Sequence, residues 1–109
     1  MKSIDVTALG ELLIDFTENG VSPQGNPLLE ANPGGAPCNV LSMLSKLGHK
    51  TAFIGKVGAD AFGRSLRDTI TKVGIDDSGL VEDDKVHTTL AFVHTMADGD
   101  RDFSFYRNP

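Results

Sequence analysis

A single cysteine stands in 109 residues, so no internal disulfide can staple the fold, and a reducing compartment is the expected setting. No apolar run approaches the roughly 18–20 residues of a membrane span. The opening Met1-Lys2-Ser3 leads into a strand-like run and lacks the apolar block of a signal peptide. Basic residues are scarce: ten Lys and Arg against fifteen Asp and Glu give a net charge of −5. The lack of a basic stripe to hold phosphate backbones argues against general nucleic-acid or membrane-surface binding. His49, His87 and His94 are scattered without metal-ligand spacing. Internal repeats and low-complexity segments are also missing. What remains is one domain's worth of chain at most, expected in the cytoplasm.

The apolar pattern predicts a mixed α/β chain. Ile4 to Leu9 is a compact apolar run, read as a first core strand. Leu12 to Thr17 alternates, with Leu12, Ile14 and Phe16 on one face and Leu13, Asp15 and Thr17 on the other. Asn19 to Pro27 is rich in turn formers and reads as a loop or wide turn, with a short return strand over Leu28 to Ala31. Helical spacing starts at Pro37, with Val40, Leu41, Leu44 and Leu47 recurring, and Gly48 stops it. Thr51 to Val57 is the next strand. Asp60 caps a second helix carrying Phe62, Leu66, Ile70 and Val73, closed by Gly74. This order implies right-handed crossovers onto a parallel sheet. Thr89 to Thr95, the turn signal Asp98-Gly99 and Asp102 to Arg107 predict an antiparallel hairpin added to that core. A chain with so few helices leaves sheet faces and edges uncovered, and a truncated protein is the expectation.

The segment Gly34-Gly35-Ala36-Pro37-Cys38-Asn39 carries the strongest functional signal. Two residues without Cβ let the backbone approach a ligand closely. Pro37 suits a first helical turn, and Asn39 adds an amide beside the helix's free N–H groups. That combination makes a polar small-molecule site at a helix N-terminus. Asp15 is a second candidate, because ligands of open α/β sheets gather past the carboxyl ends of strands. A carboxylate there can accept two hydroxyl hydrogen bonds. Phe103, Phe105 and Arg107 share one face of the last strand, where a guanidinium needs an anion or several acceptors if buried.

Two features are read as structural. Cys38 has no assignable base and is expected to pack at the helix start. Gly58-Ala59-Asp60-Ala61-Phe62-Gly63-Arg64-Ser65 nearly matches a phosphate loop, but Arg64 stands where the lysine belongs and Asp60 would set a carboxylate inside the cradle. It is read as a capped helix start.

Taken together, these residues resemble the ribokinase-like (phosphofructokinase-B type) carbohydrate kinases, and among them fructokinases most. The resemblance rests on Gly10-Glu11-Leu12-Leu13-Ile14-Asp15-Phe16, on Gly34 through Gly63 with its Phe53-Ile54-Gly55-Lys56-Val57-Gly58, and on Asp98-Gly99 through Phe105-Tyr106-Arg107-Asn108-Pro109. It implies a three-layer α/β/α sandwich with a small β-sheet lid. The chain would be the N-terminal part of a single kinase domain, with lid strands at about 12–32 and 89–107 and core elements at about 3–9 and 37–82. By the same resemblance Asp15, Gly34, Gly35, Ala36, Asn39, Phe105 and Arg107 would meet the sugar. The activity would be ATP-dependent phosphorylation of a primary hydroxyl of a ketohexose, with Mg²⁺ and in some members K⁺. No catalytic residue is expected here, because the family's aspartate lies downstream in a Gly-Ala-Gly-Asp helix start that this chain does not contain. A homodimer through the lid is implied. Ketodeoxygluconate, ribose and aminoimidazole riboside remain rival sugars, and a non-catalytic self-associating sugar-binding module remains a rival class.

Overall fold

The computed structural model of the chain describes residues 3–95 and 99–107. Nine elements follow one another: β1 (Val6–Leu9), β2 (Leu13–Val21), β3 (Pro27–Gly34), α1 (Ala36–Lys46), β4 (Thr51–Gly58), α2 (Ala61–Lys72), β5 (Ile75–Asp83), β6 (Leu90–Thr95) and β7 (Arg101–Tyr106). The strands make two sheets. One is parallel in the order β1-β4-β5, and the other is mixed in the order β3-β2-β6-β7. Asp98 of the expected turn signal, and Asn108 and Pro109 of the expected terminal motif, lie outside the described residues.

Successive crossovers step from β1 to β4 to β5 in one direction, so right-handed connections set α1 and α2 on the same face of the parallel sheet. The core reflects this. Leu41 of α1 and Leu66 and Ile70 of α2 pack with Phe53, Val57, Ile75 and Leu80 from the strands. Ile54 and Val81, whose side chains are not in that core, are exposed. Helix ends follow local chemistry: Gly48 and Gly74 adopt φ of 92° and 87° directly after the helix C-caps. Arg67 ties α2 to β5, donating to Glu82 at 2.9 Å and to the Leu80 carbonyl at 2.7 Å, with a further bond to Asp77.

Three expectations change. The region 19–27 is not all loop, because β2 runs on to Val21 and β3 starts at Pro27, leaving a turn of residues 22–26. Gly20, with φ of 89°, is accommodated by a register irregularity between Glu18 and Val21. A strand at Ile75–Asp83 exists where the acidic sequence gave no strand signal. On α1, Val40 and Leu47 stand exposed, and Cys38 joins Leu41 in the core instead.

The segment resembling a phosphate loop is a structural joint. Asp60 caps α2, accepting the Gly63 amide at 2.8 Å and the Thr88 hydroxyl at 2.6 Å through one oxygen and the Thr88 amide at 2.9 Å through the other. Thr88 is buried, and its hydroxyl accepts the Gly58 amide at 3.1 Å. Asp60 thereby fastens the chain entering β6, and with it the mixed sheet, to the end of β4. Burial would raise the Asp60 carboxyl, but hydrogen bonds from Thr88 and Gly63, with the charge of Arg64, outweigh it and hold the group below its ordinary value.

A depressed folded pKa stabilises the fold above the ordinary carboxylate range and loses that contribution as pH falls through it. Asp60→Ala is therefore expected to cost about 1–2 kcal/mol at neutral pH, as a lost cap does. In denaturant titrations the gap to the unaltered protein should close as pH drops below about 4. A gap that stays constant with pH would exclude the ionised carboxylate as its source.

Candidate functional site

The mixed sheet has one covered and one open face. On the covered face Phe16 stacks on Phe92 with centroids 5.0 Å apart and meets Phe62 of α2 edge-on at 5.7 Å. Phe92 in turn meets Tyr106 at 5.4 Å. This aromatic row glues the sheet to α2. Strand alternation then sends the neighbouring residues to the opposite, open face. Pairing aligns Asn32, Asp15, Ala91 and Phe105 as cross-strand neighbours in a single row there. Ala91 is fully buried and small, so it leaves the lane between Asp15 and Phe105 low.

The diglycine closes one end of that face. Gly34 ends β3 opposite Leu13, and a methyl group in its place would overlap the Asp15 carboxylate. Gly35 has φ of 117°, a left-handed value that disfavours side chains, and a Cβ on it would overlap the Glu11 carbonyl oxygen. Gly35 then caps α1 without a side-chain hydrogen bond, Ala36 and Pro37 forming the first turn. The Asn39 backbone N–H donates to the Gly35 carbonyl at 3.1 Å, and the side chain is exposed.

The sequence-predicted residues are thus gathered, but not all into one cavity. Asp15 lines an open cleft of about 480 Å³ with Thr17, Glu18, Asn32, Arg101 and Phe103. Gly34 and Asn39 line a smaller crevice of about 170 Å³ with Leu12, Pro33, Cys38 and Ser42. Gly34 joins the two, because it also abuts Asp15. Asp15 itself is in the second strand, inside the mixed sheet, and not at the carboxyl end of a parallel strand. Burial pushes its carboxyl above the ordinary value. The buried Cys38 thiol is likewise raised by burial, which keeps it in the unreactive protonated form.

Arg107 is not a buried cation seeking an anion. It is about half exposed and already has one: its Nε donates to Glu11 at 2.6 Å and a terminal nitrogen donates to the other carboxylate oxygen at 2.8 Å. The hydrogen bonds to Glu11 raise the arginine's pKa further. Its guanidinium lies 4.2 Å from the Phe105 ring centre, and Phe105 stacks on Phe103 at 6.1 Å. Glu11 was missed by sequence reasoning, and nothing local could have found it, since 96 residues separate the two partners.

The phosphate-loop candidate offers no cradle. Its Gly63 amide is spent on Asp60, and a Cβ on Gly63 would overlap the Gly58 carbonyl. Among the described residues no group of three His, Cys, Asp or Glu side chains could hold a metal ion, and no helix is long and apolar enough to cross a membrane.

These features coincide with a known family: the pfkB family of carbohydrate kinases matches residues 3–109. The chain belongs to that family. It is 50% identical over 106 residues to fructokinase-1 of Zea mays, covering 95% of this chain and 33% of the relative. A probable fructokinase-3 of Arabidopsis thaliana is 47% identical over 106 residues, covering 95% of this chain and 31% of the relative. Among solved structures, fructokinase from Xylella fastidiosa superposes with a TM-score of 0.86 at 37% identity, covering 94% of this chain and 32% of that one. A sugar kinase from Pyrococcus horikoshii in complex with ATP gives 0.83 at 38% identity, covering 93% and 33%. The chain spans about a third of the length of these relatives. Its architecture is ribokinase-like, with both helices of this third on one side of the parallel sheet.

Because burial is what raises Asp15, opening its surroundings should lower it. Carbon-detected NMR titration of Asp15 is expected to give a pKa above 3.8, and Phe103→Ala, which removes an apolar wall of the Asp15 cleft, is expected to bring it down towards that value. An unchanged titration in the variant would separate the two residues.

Proposed function

We propose that this chain is the sugar-binding third of an ATP-dependent kinase that phosphorylates a primary hydroxyl of fructose or a closely related ketohexose. The observation that carries this reading is the open face on which Asp15, Phe105 and the diglycine converge, in a chain about half identical to plant fructokinases. In this reading the Asp15 carboxylate accepts sugar hydroxyls, Gly34, Gly35 and Ala36 let the ring approach the backbone, and Asn39 extends the polar contacts. Phe105 covers the apolar side of the ring, and Arg107 borders it.

Such contacts do not make or break bonds; they hold one hydroxyl where the phosphoryl group must arrive, and positioning of this kind is worth several kcal/mol of barrier. The desolvated setting of Asp15 strengthens each hydrogen bond it accepts. The residues described here do not fit a nucleotide, so ATP, with Mg²⁺ or K⁺, is assigned to the remaining two-thirds of the protein, together with the base that takes the hydroxyl proton. The mixed sheet would act as a lid that excludes water from the transfer.

Two further assignments are of the same standing. A reducing, cytoplasmic location agrees with the lone buried cysteine. A homodimer through the lid is favoured because β3 and β7 are the outer strands of the mixed sheet, with Phe103, Phe105 and Tyr106 of β7 all about half exposed. The rival reading as a self-associating module without catalysis draws on the same edges. It differs in predicting association without phosphoryl transfer by the full-length protein. Sedimentation of the full-length protein should give a dimer that Tyr106→Lys weakens at least tenfold; a monomer at micromolar concentration would remove the lid contact.

Asp15→Ala removes up to two charge-assisted hydrogen bonds of about 1.5–3 kcal/mol each. It is expected to reduce kcat/KM for fructose at least tenfold in a coupled kinase assay while leaving thermal unfolding close to that of the unaltered protein. Unchanged kinetics would take Asp15 out of the site.

A further inference from the structure

We propose that Asn19 is a site of spontaneous deamidation, at which a neutral link across the β2–β3 hairpin becomes a carboxylate facing Glu30.

An asparagine cyclises when the backbone nitrogen of the next residue reaches its side-chain carbonyl carbon. The asparagines of this chain differ sharply in that respect. Asn26, Asn32 and Asn108 each precede proline, whose nitrogen has no proton to release. Asn39 precedes the β-branched Val40 within α1, where the side chain crowds the nitrogen and the helix fixes it. Asn19 alone precedes glycine.

The structure exposes this dipeptide and interrupts the ladder around it. Pairing of β2 with β3 passes from Glu18–Leu29 to Val21–Pro27, so Asn19 and Gly20 stand opposite Leu28 alone. A bulge of this kind leaves a residue outside regular pairing. Gly20 has φ of 89°, and among the described residues no atom beyond its chain neighbours lies within 4 Å of where a Cβ would stand. A five-membered ring, and the water that later opens it, therefore have room. The Asn19 side-chain amide donates to Glu30 Oε2 at 3.2 Å, an exposed bond for which solvent competes.

The Gly20 nitrogen attacks the Asn19 side-chain carbonyl carbon and gives up its proton, and ammonia leaves as the succinimide closes. Water then opens the ring. Breaking the bond from nitrogen to the side-chain carbon gives aspartate; breaking the bond to the main-chain carbon gives isoaspartate, which lengthens the strand by a methylene. Loss of ammonia makes the change one-way. Aspartate sets its charge where the amide met Glu30, and like charges facing each other across an antiparallel pair destabilise it.

The test is peptide mass spectrometry of the folded full-length protein, incubated at neutral and at mildly alkaline pH. Conversion at Asn19 is expected to outpace conversion at Asn39 at least tenfold and to quicken with pH, since the Gly20 nitrogen must lose its proton. Asn19→Gln, whose longer side chain closes a larger and slower-forming ring, should reduce conversion at this position at least tenfold. No conversion of Asn19 in the folded protein, while the same protein unfolded in denaturant converts, would overturn the proposal. Equal conversion at Asn19 and Asn39, or in Asn19→Gln, would do the same. Asn19→Asp reproduces one product and is expected to speed hydrogen exchange between Glu18 and Glu30 at least threefold at low salt, with Glu30→Gln added restoring the original rate. Exchange that Asn19→Asp leaves unchanged, or that Glu30→Gln fails to restore, would remove charge repulsion as the consequence.

Discussion

Everything in the candidate site depends on the absence of two side chains. Where β3 ends, the backbone passes so close to β2 and to the chain before it that a methyl on Gly34 would strike Asp15 and one on Gly35 would strike the Glu11 carbonyl. This close passage turns an edge strand into a helix within a single residue, since Gly34 closes β3 and Ala36 opens α1. It also brings the free N–H groups of the helix start to the margin of the open face of the mixed sheet. A side chain at either position would separate the helix from the carboxylate and split the surface in two.

The second constraint is the joint between the sheets. The mixed sheet touches the helical layer through aromatic edges at Phe16 and Phe62, contacts that are apolar and weakly directional. Direction comes from Asp60, whose two oxygens hold both the start of α2 and the buried Thr88 at the entry to β6. A cap that would ordinarily serve one helix thus fixes the angle of a whole sheet. The joint also explains why a motif resembling a phosphate loop forms no phosphate cradle: its Gly63 amide is spent on the Asp60 carboxylate and its Gly58 amide on the Thr88 hydroxyl.

Local chemistry was legible in the sequence, and distant chemistry was not. Asp60, Gly48 and Gly74 announce helix ends because capping is decided within a few residues. The diglycine and Asp15 stood out for the same reason, their residue types having narrow uses. The continuation of β2 through Asn19 and Gly20 was hidden, because turn-forming composition there is overruled by pairing with β3 across an irregular register. β5 was hidden more deeply. Its acidic residues look solvated until Arg67 arrives from α2 to meet Asp77 and Glu82. The apolar stripe of α1 misled in the opposite way, since periodicity identified an apolar face but not which part of it is buried, and Val40 and Leu47 stand exposed.

Arg107 illustrates why a residue's role is set by its partner and not by its type. As a sequence position it reads as an anion seeker, and a sugar acid or a phosphate would satisfy it equally well. With Glu11 filling its fork, the same arginine becomes a rigid, charge-neutral border propped on Phe105. An exposed pair of this kind adds little to stability, since solvent screens it and two long side chains must be held still.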